Sequence, residues 1–386
     1  MDLTFTAAEE AFRREARSWL EANVPRESLP SGDTREGFLR HLEWEKRLFD
    51  ARWAVVAWPE RYGGRGATLM EWLVFEEEYW RAGAPNRVNQ NGVFLLAPAL
   101  FAFGTDEQKE RLLPDIAGAR HLWAQGWSEP NAGSDLAGIK SRAERVAGGF
   151  RLYGQKTWCT RAAFCDSIFG PFRTDPAAPP HKGLTYFLVS LHADGVTVRG
   201  NRRLDGDEGF AEVFLDGAFV ADRDVLGEVN GGWKVAMATT SSERGLSLRS
   251  PGRFMATASR LVDLFRRCKG RATPALRDRL ARAWIEVDAY RWFTFQCATQ
   301  MSAGKPIGPE SSLSKLFWSE MDLSMHETAL AILGERAELD ELASDAVDGG
   351  AWMKGYQFAL AGPIYAGTNE IQRNVIAERV LGLPRE

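Results

Sequence analysis

The chain lacks the residue patterns that mark a metalloprotein, a disulfide oxidoreductase or a nucleic-acid binder. Its five histidines, His41, His121, His181, His192 and His326, lie far apart with no ligand spacing, so no metal site is predicted. The four cysteines, Cys159, Cys165, Cys268 and Cys297, form no C-x-x-C pair, and Met1 opens directly onto an acidic amphipathic segment. A reduced, cytoplasmic compartment is the expectation. No apolar run approaches the roughly 18 residues that a membrane span needs, so no membrane insertion is predicted. With 48 Lys and Arg against 52 Asp and Glu, the net charge of −4 offers no surplus for a nucleic acid or an anionic membrane. The short basic run Arg266, Arg267, Lys269, Arg271 reads as a solvated helix end closed by Gly270. Strands and helices do not alternate, and there is no G-x-G-x-x-G after a strand and no phosphate-binding P-loop. The usual nucleotide folds are therefore excluded, and the absence of a G-x-S-x-G elbow excludes the common serine hydrolases.

What is present suffices for two or three cores, since 386 residues, 45% of them apolar, exceed what one hydrophobic core holds. The first 120 residues read as helix. Phe12, Ala16 and Leu20 share a face, and Thr105 with Gln108 forms a capping box. The Gly-rich stretch Pro59 to Gly66 is a loop. From Trp123 the texture changes to short β-prone runs, 150–160, 167–173, 184–189 and 196–198, parted by Gly, Pro and Asp, the pattern of an antiparallel β domain. Helical spacing returns after Asn230, Gly231 and Gly232. Thr273 as N-cap and Pro274 at the first position open a helix whose stripe is Leu276, Leu280, Trp284 and Val287.

Two segments carry chemistry. Gly126 to Gly138, GWSEPNAGSDLAG, packs small and hydroxylated residues around one Glu-Pro turn, a composition suited to backbone pressed against a flat ring system. Gly126 and Gly133 allow close approach or positive φ. More than 200 residues later stands Tyr365 to Pro384, YAGTNEIQRNVIAERVLGLP. Both resemble signatures of the acyl-CoA dehydrogenase family, and the resemblance covers essentially the whole chain. It implies an α+β architecture: an N-terminal α-helical domain (1–121), a middle antiparallel β domain (122–229) and a C-terminal four-helix-bundle-like α domain (230–386). It also implies FAD. On this resemblance Gln125, Trp127 and Ser128 line the edge of the isoalloxazine, and Trp158 and Thr160 pack on it and hydrogen-bond it. Thr368 and Glu370 meet the pyrophosphate and ribityl chain with Arg373 pairing Glu370, and Ser134, Tyr365 and Gly367 face the substrate. Taken alone, Trp158 reads as core and Ser134 as a turn serine.

The family's reaction removes the α-proton of an acyl thioester with a carboxylate. Its commonest base precedes the Gly-Thr of the second signature, where this chain has Ala366. Other members place a glutamate before an arginine on the first helix after the β domain, which here reads Ser242, Glu243, Arg244. Glu243 is the candidate base by resemblance, and a surface glutamate by residue type alone. The family's R-x-x-F-G arginine is replaced by Gly270, Arg271, Ala272, Thr273, and its Gly-Gly by Gly334, Glu335. The implied activity is α,β-desaturation of an acyl-CoA, with electrons passed to an electron-transfer flavoprotein. The implied assembly is a homo-oligomer, dimer or tetramer, or a heterotetramer with a homologous subunit. Two alternatives stay open: a flavin monooxygenase or nitroalkane-type oxidase on the same fold, and a non-catalytic partner subunit.

Overall fold

The structure, a computed structural model, describes residues 4–244, 250–268, 273–305, 308, 309 and 311–385, without the side chains of 241–244. Helices come first: α1 (Ala7–Asn23), α2 (Arg35–Asp50), α3 (Leu69–Arg81), α4 (Ala97–Phe103) and α5 (Asp106–Ala117). The Thr105 capping box closes as its sequence predicts, with Gln108 N–H donating to Thr105 Oγ1 and Thr105 N–H to Gln108 Oε1. The Gly-rich stretch contains one 3-10 turn, Glu60–Tyr62. Eight strands follow: β1 (Trp123–Gln125), β2 (Arg142–Val146), β3 (Gly149–Thr160), β4 (Ser167–Arg173), β5 (Leu184–Ser190), β6 (Val196–Asn201), β7 (Phe210–Ala221) and β8 (Val225–Leu226). Then come α6 (Gly232–Arg244), α7 (Pro251–Arg267), α8 (Pro274–Ser302), α9 (Ser311–Leu333), α10 (Ala351–Ala359) and α11 (Asn369–Val375).

The chain packs as two compact units. One comprises Pro25–Ala67 and Pro85–Glu243 and contains the sheet, ordered β6-β7-β3-β2-β4-β5-β8 with β1 on β4. Most pairs are antiparallel, but β1 runs parallel to β4, as does the single β2–β4 pair. The β2–β3 hairpin intervenes between β1 and β4 in the sequence, so the chain re-enters the sheet from the end at which β1 began. Strand β7 is not among the β-prone runs above, and its Asp216-Gly217 dipeptide has the form of a hairpin turn. Gly217, at φ +77°, is instead a bulge skipped in the β3–β7 register, where Leu152 faces Ala218 and Tyr153 faces Asp216.

One face of this sheet holds a buried ion pair. Lys156, 0% exposed, donates to Glu129 Oε1 at 2.9 Å, to Pro171 O at 3.0 Å and to Trp127 O at 3.3 Å. Glu129 also accepts from Lys140 N–H at 2.6 Å and Ser141 N–H at 3.0 Å. Burial pushes the Glu129 carboxyl up, yet the Lys156 ammonium and these donors outweigh it and hold the carboxyl below the usual range. The pair ties the loop after β1 to β3 and β4.

The other unit comprises Met1–Val24, Thr68–Ala84 and Arg244–Glu386. Helices α7, α8 and α9 pack on one another, α10 lies against α9, and α3 lies against α7. The apolar layer runs through Phe254, Leu261, Val287, Tyr290, Trp318 and Met325. Thr273 caps α8 and Pro274 takes its first turn. The core stripe differs from the sequence reading at one residue, since Trp284 is 49% exposed and Ala283 takes its place between Leu280 and Val287. Over a helix this long, the 3.6-residue period drifts against a fixed fourfold spacing.

Within this unit α3 carries three buried glutamates in a row. Glu78, 1% exposed, accepts from Arg17 at 2.8 Å, Arg81 at 2.8 Å and Arg13 at 3.2 Å. Glu77 accepts from Arg13 at 3.0 Å and from Arg291 of α8 at 2.6 Å. Burial raises the Glu78 carboxyl, but the hydrogen bonds from Arg17 and Arg81 prevail and lower it from 4.5 to about 2.

Two expectations follow. Lys156→Met strands the Glu129 carboxylate in the core and is expected to cost about 3–5 kcal/mol in denaturant unfolding, most of which the added Glu129→Met recovers. A double variant no more stable than the single would show that the stranded charge is not the cause. For Glu78, the carboxyl is held low in the folded state, so its stabilisation is full above 4.5 and lost as pH falls toward 2. Glu78→Gln is expected to lower Tm near neutral pH and to flatten its fall over that acid window.

Candidate functional site

The first signature is built on the end of β1. Gly126 donates its N–H to Phe169 O at 2.9 Å, and a Cβ placed on it would lie 2.9 Å from Ile168 Cδ1, the movable end of that side chain, so the glycine gives a close approach that a larger residue would obtain only by shifting Ile168. Gly133 departs from expectation, because its φ is not left-handed and its Cβ position is open. Trp127 turns its indole into the sheet, donating Nε1–H to Tyr186 Oη at 2.9 Å. Its indole N–H is thus already engaged within the sheet. Ser128 is half-buried and accepts Thr157 N–H on its carbonyl at 2.9 Å, while Ser134 is exposed. Gln125 is half-buried and presents a buried Nε2 that has no hydrogen-bond partner among the described residues.

Opposite Ser128 the second element is a bulge in β3. The β3–β7 register jumps between Lys156 and Cys159, so Thr157 and Trp158 together face one residue of β7. Trp158 takes φ +57° and stands 64% exposed, edge-on to Phe210 at a centroid distance of 5.7 Å. A tryptophan in the left-handed region is strained, and such strain gathers at functional sites. Pure β alternation would have put this ring on the inward face with Lys156, and the bulge turns it outward. The strand ends at Thr160, half-buried, and Arg161, whose φ is also positive at +56°. Arg161 Nε donates to Asp33 Oδ1 at 2.6 Å, and Arg203 Nη1 donates to Asp33 Oδ2 at 2.6 Å. Burial raises the Asp33 carboxyl, but the two guanidiniums overcome this and hold it below its ordinary value. Fixed in this way, the bulge and the signature loop form one surface patch through Thr157, Ser128 and the Lys156 contact with Trp127.

These residues suit an isoalloxazine. The orphaned Gln125 amide is a donor that lacks an acceptor, flavin edges are rich in acceptors, and the exposed Trp158 ring offers a stacking face beside the Thr160 hydroxyl.

The second signature lies in the other unit and forms a turn leading into α11. Tyr365 packs against Trp318 at 6.0 Å, Ala366 takes φ +57° and Gly367 φ +79°, and Thr368 caps α11 by accepting Ile371 N–H at 3.3 Å. The Glu370 carboxylate is held below its usual range by its own backbone N–H and the Thr368 hydroxyl. Arg373 pairs with Glu370 at 3.8 Å, as the sequence suggests, and also donates to Glu320 of α9 at 2.6 Å. Glu335 is exposed in a 3-10 turn after α9. Glu243 and Arg244 lie on the last turn of α6, with side chains outside the described set, as are Lys269 to Ala272. Just before them Thr239 is buried, and Thr239 and Thr240 return their hydroxyls to Val235 O and Ala236 O, so this face of α6 is lined by small side chains.

Sequence reading missed Glu129 and Lys156 as a pair, although a lysine in the inward register of β3, in step with Phe150 and Leu152, signals a buried carboxylate partner. It also missed Gln372 and Lys315, both fully buried near the second signature. A polar residue on the inner face of α11 was the available signal. Among the described residues no cluster of metal ligands occurs, and no helix is long and apolar enough to cross a membrane.

Comparison with known proteins supplies the wider frame. The family descriptions "Acyl-CoA dehydrogenase, N-terminal domain", "middle domain" and "C-terminal domain" match residues 6–120, 124–217 and 230–381. The acyl-CoA dehydrogenase IpdE1 of Mycobacterium tuberculosis is 39% identical, with 98% of each chain covered. Among solved structures, the Tcur3481-Tcur3483 steroid ACAD superposes with a TM-score of 0.90 at 30% identity over the whole of both chains. The ChsE4-ChsE5 complex of Mycobacterium tuberculosis does so with a TM-score of 0.84 at 27% identity over the whole of both chains. The chain therefore belongs to the acyl-CoA dehydrogenase family of FAD-dependent oxidoreductases.

Proposed function

We propose that the chain introduces an α,β-double bond into a bulky, ring-containing acyl-CoA thioester, with Glu243 as the base and an electron-transfer flavoprotein as the electron acceptor. The observation that carries this reading is Ala366: a position that keeps its backbone N–H in a fixed left-handed turn yet has no carboxylate. The base must then come from elsewhere, and Glu243, beside Arg244 on a helix lined by small residues, is the replacement. When bound, FAD supplies the acceptor for the β-hydrogen as hydride. Glu243 takes the α-proton, and desolvation by the acyl group raises its pKa and strengthens it for that task. Negative charge then gathers on the thioester oxygen, where the Ala366 N–H stabilises it. Gln125, Trp127, Ser128, Trp158 and Thr160 hold the flavin ring, with Trp158 excluding water from one face. Thr368, Glu370 and Arg373 serve its phosphate and ribityl portion, and Ser134, Tyr365 and Gly367 border the substrate. Absence of a glutamate at 366 leaves room for a wide acyl group, which agrees with the steroid named for one similar structure.

A second reading has its own support. Gly334-Glu335 and the missing R-x-x-F-G arginine weaken the distal half of an FAD site, and two of the similar structures are two-chain assemblies. The chain could then work only beside a homologous subunit that completes the flavin site, as one half of a heterotetramer. Purification alone and with such a subunit, followed by a flavin spectrum of each, distinguishes the two readings. Colourless protein from both preparations would sink each of them.

The base is tested in whichever preparation holds flavin. Glu243→Gln is expected to retain FAD and lose anaerobic bleaching by a ring-containing acyl-CoA about 100-fold or more. Bleaching at the wild-type rate would transfer the base to another residue. Rapid reoxidation of the reduced flavin by oxygen would instead favour an oxidase or monooxygenase.

A further inference from the structure

The turn at 366 is held by a side chain to which the reaction gives no direct part. Ala366 and Gly367 are both left-handed, at φ +57° and +79°. Two successive residues in that conformation turn their carbonyls to one side and their N–H groups to the other, as in one step of a left-handed helix. Gln372 takes up both carbonyls, its Nε2 donating to Ala366 O at 3.1 Å and to Gly367 O at 3.0 Å. An amide NH2 has two protons, so this contact is saturated. Gln372 is 0% exposed, and its Oε1 has no partner among the described residues. The side chain is thus kept for its donors, because its acceptor is buried to no benefit.

The next residues hold the turn from the other side. Asn369 N–H donates to Pro363 O at 2.8 Å, and Asn369 Oδ1 accepts from Lys315 Nζ at 2.7 Å and Ser319 Oγ at 3.1 Å. Lys315, Ser319, Asn369 and Gln372 are all buried, so the anchor does not depend on solvent.

We infer that Gln372 is a positioning residue for the dehydrogenation: by gripping the carbonyls of Ala366 and Gly367 it directs the N–H of Ala366 toward the substrate thioester carbonyl. This rests on the function proposed above. An alanine has less reason than glycine to stay left-handed, so without the grip the turn relaxes and the N–H swings away. Proton removal then loses the hydrogen bond that stabilises the enolate, a loss of roughly 100-fold.

The test uses the flavin-loaded protein and the CoA thioester of para-dimethylaminocinnamic acid, whose absorption moves to the red when its carbonyl is hydrogen-bonded. In Gln372→Met the red shift is expected to shrink and the limiting rate of flavin reduction by a good acyl-CoA to fall about 100-fold. KM is expected to change only a few-fold, with flavin content and Tm close to the wild type. Gln372→Glu adds a signature that packing cannot mimic. Its protonated form donates one hydrogen bond and its ionised form none, so the rate should fall as pH rises through the new carboxyl's pKa, a limb the wild type lacks. An unchanged red shift and rate in Gln372→Met, or a Gln372→Glu profile parallel to the wild type, would overturn the inference while leaving the proposed function standing. Loss of flavin from both variants would make Gln372 a folding residue and overturn it too. A wild-type protein that neither shifts the probe nor is bleached by any acyl-CoA would remove the proposed function and the inference together.

Discussion

The unit that contains the sheet depends on one ion pair buried within it. Lys156 meets Glu129 where neither is solvated, and each spends its remaining hydrogen-bonding capacity on backbone: Lys156 on Trp127 O and Pro171 O, Glu129 on Lys140 N–H and Ser141 N–H. A buried pair of this kind adds little net stability compared with apolar packing. Its value is geometric, because it fixes three chain segments relative to one another at a point where small glycines and hydroxyl residues cannot hold themselves. The Trp158 bulge begins at the residue after Lys156, so its strain is borne by a rigid base.

The same arrangement recurs at the far end of the chain. Ala366, like Trp158, is a non-glycine residue in the left-handed region, and beside it stands a fully buried polar side chain, Gln372, bonded to backbone. In both places a conformation that the local sequence disfavours is imposed by a neighbour whose own position is fixed by burial. What each place offers outward is different, an aromatic face in one and the backbone of a turn in the other.

Much of this was legible in the sequence where the signal is local. The Thr105 and Thr273 caps, the runs at 150–160, 167–173 and 184–189, and the two signatures depend on residues a few positions apart, and the elements stand where those residues put them. What was not legible depends on partners far away. Asp216-Gly217 has the form of a turn until β3 is placed beside it. Arg373 does pair with Glu370, but its shorter contact is with Glu320 of α9, which no local spacing announces. Trp158 has the form of core until a two-for-one register with β7 throws it outward. Gly133 needed neither close approach nor positive φ, because composition reports what a residue permits and not what its position demands.

The helical unit has another consequence, which concerns how the chain is made. Its helices α1 and α3 belong to the first part of the chain, yet α3 packs on α7, and Glu77 receives Arg291 from α8. During synthesis the whole of the sheet, β1 to β8, emerges before these partners do. Until then the Glu77 carboxylate lacks Arg291, and the side of α3 that packs on α7 waits uncovered. A nascent chain in this state exposes apolar surface for as long as translation of the intervening residues takes, which is the interval in which chaperones bind and aggregation competes. The closing event is therefore non-local by construction, and the unit that folds last contains residues that were made first.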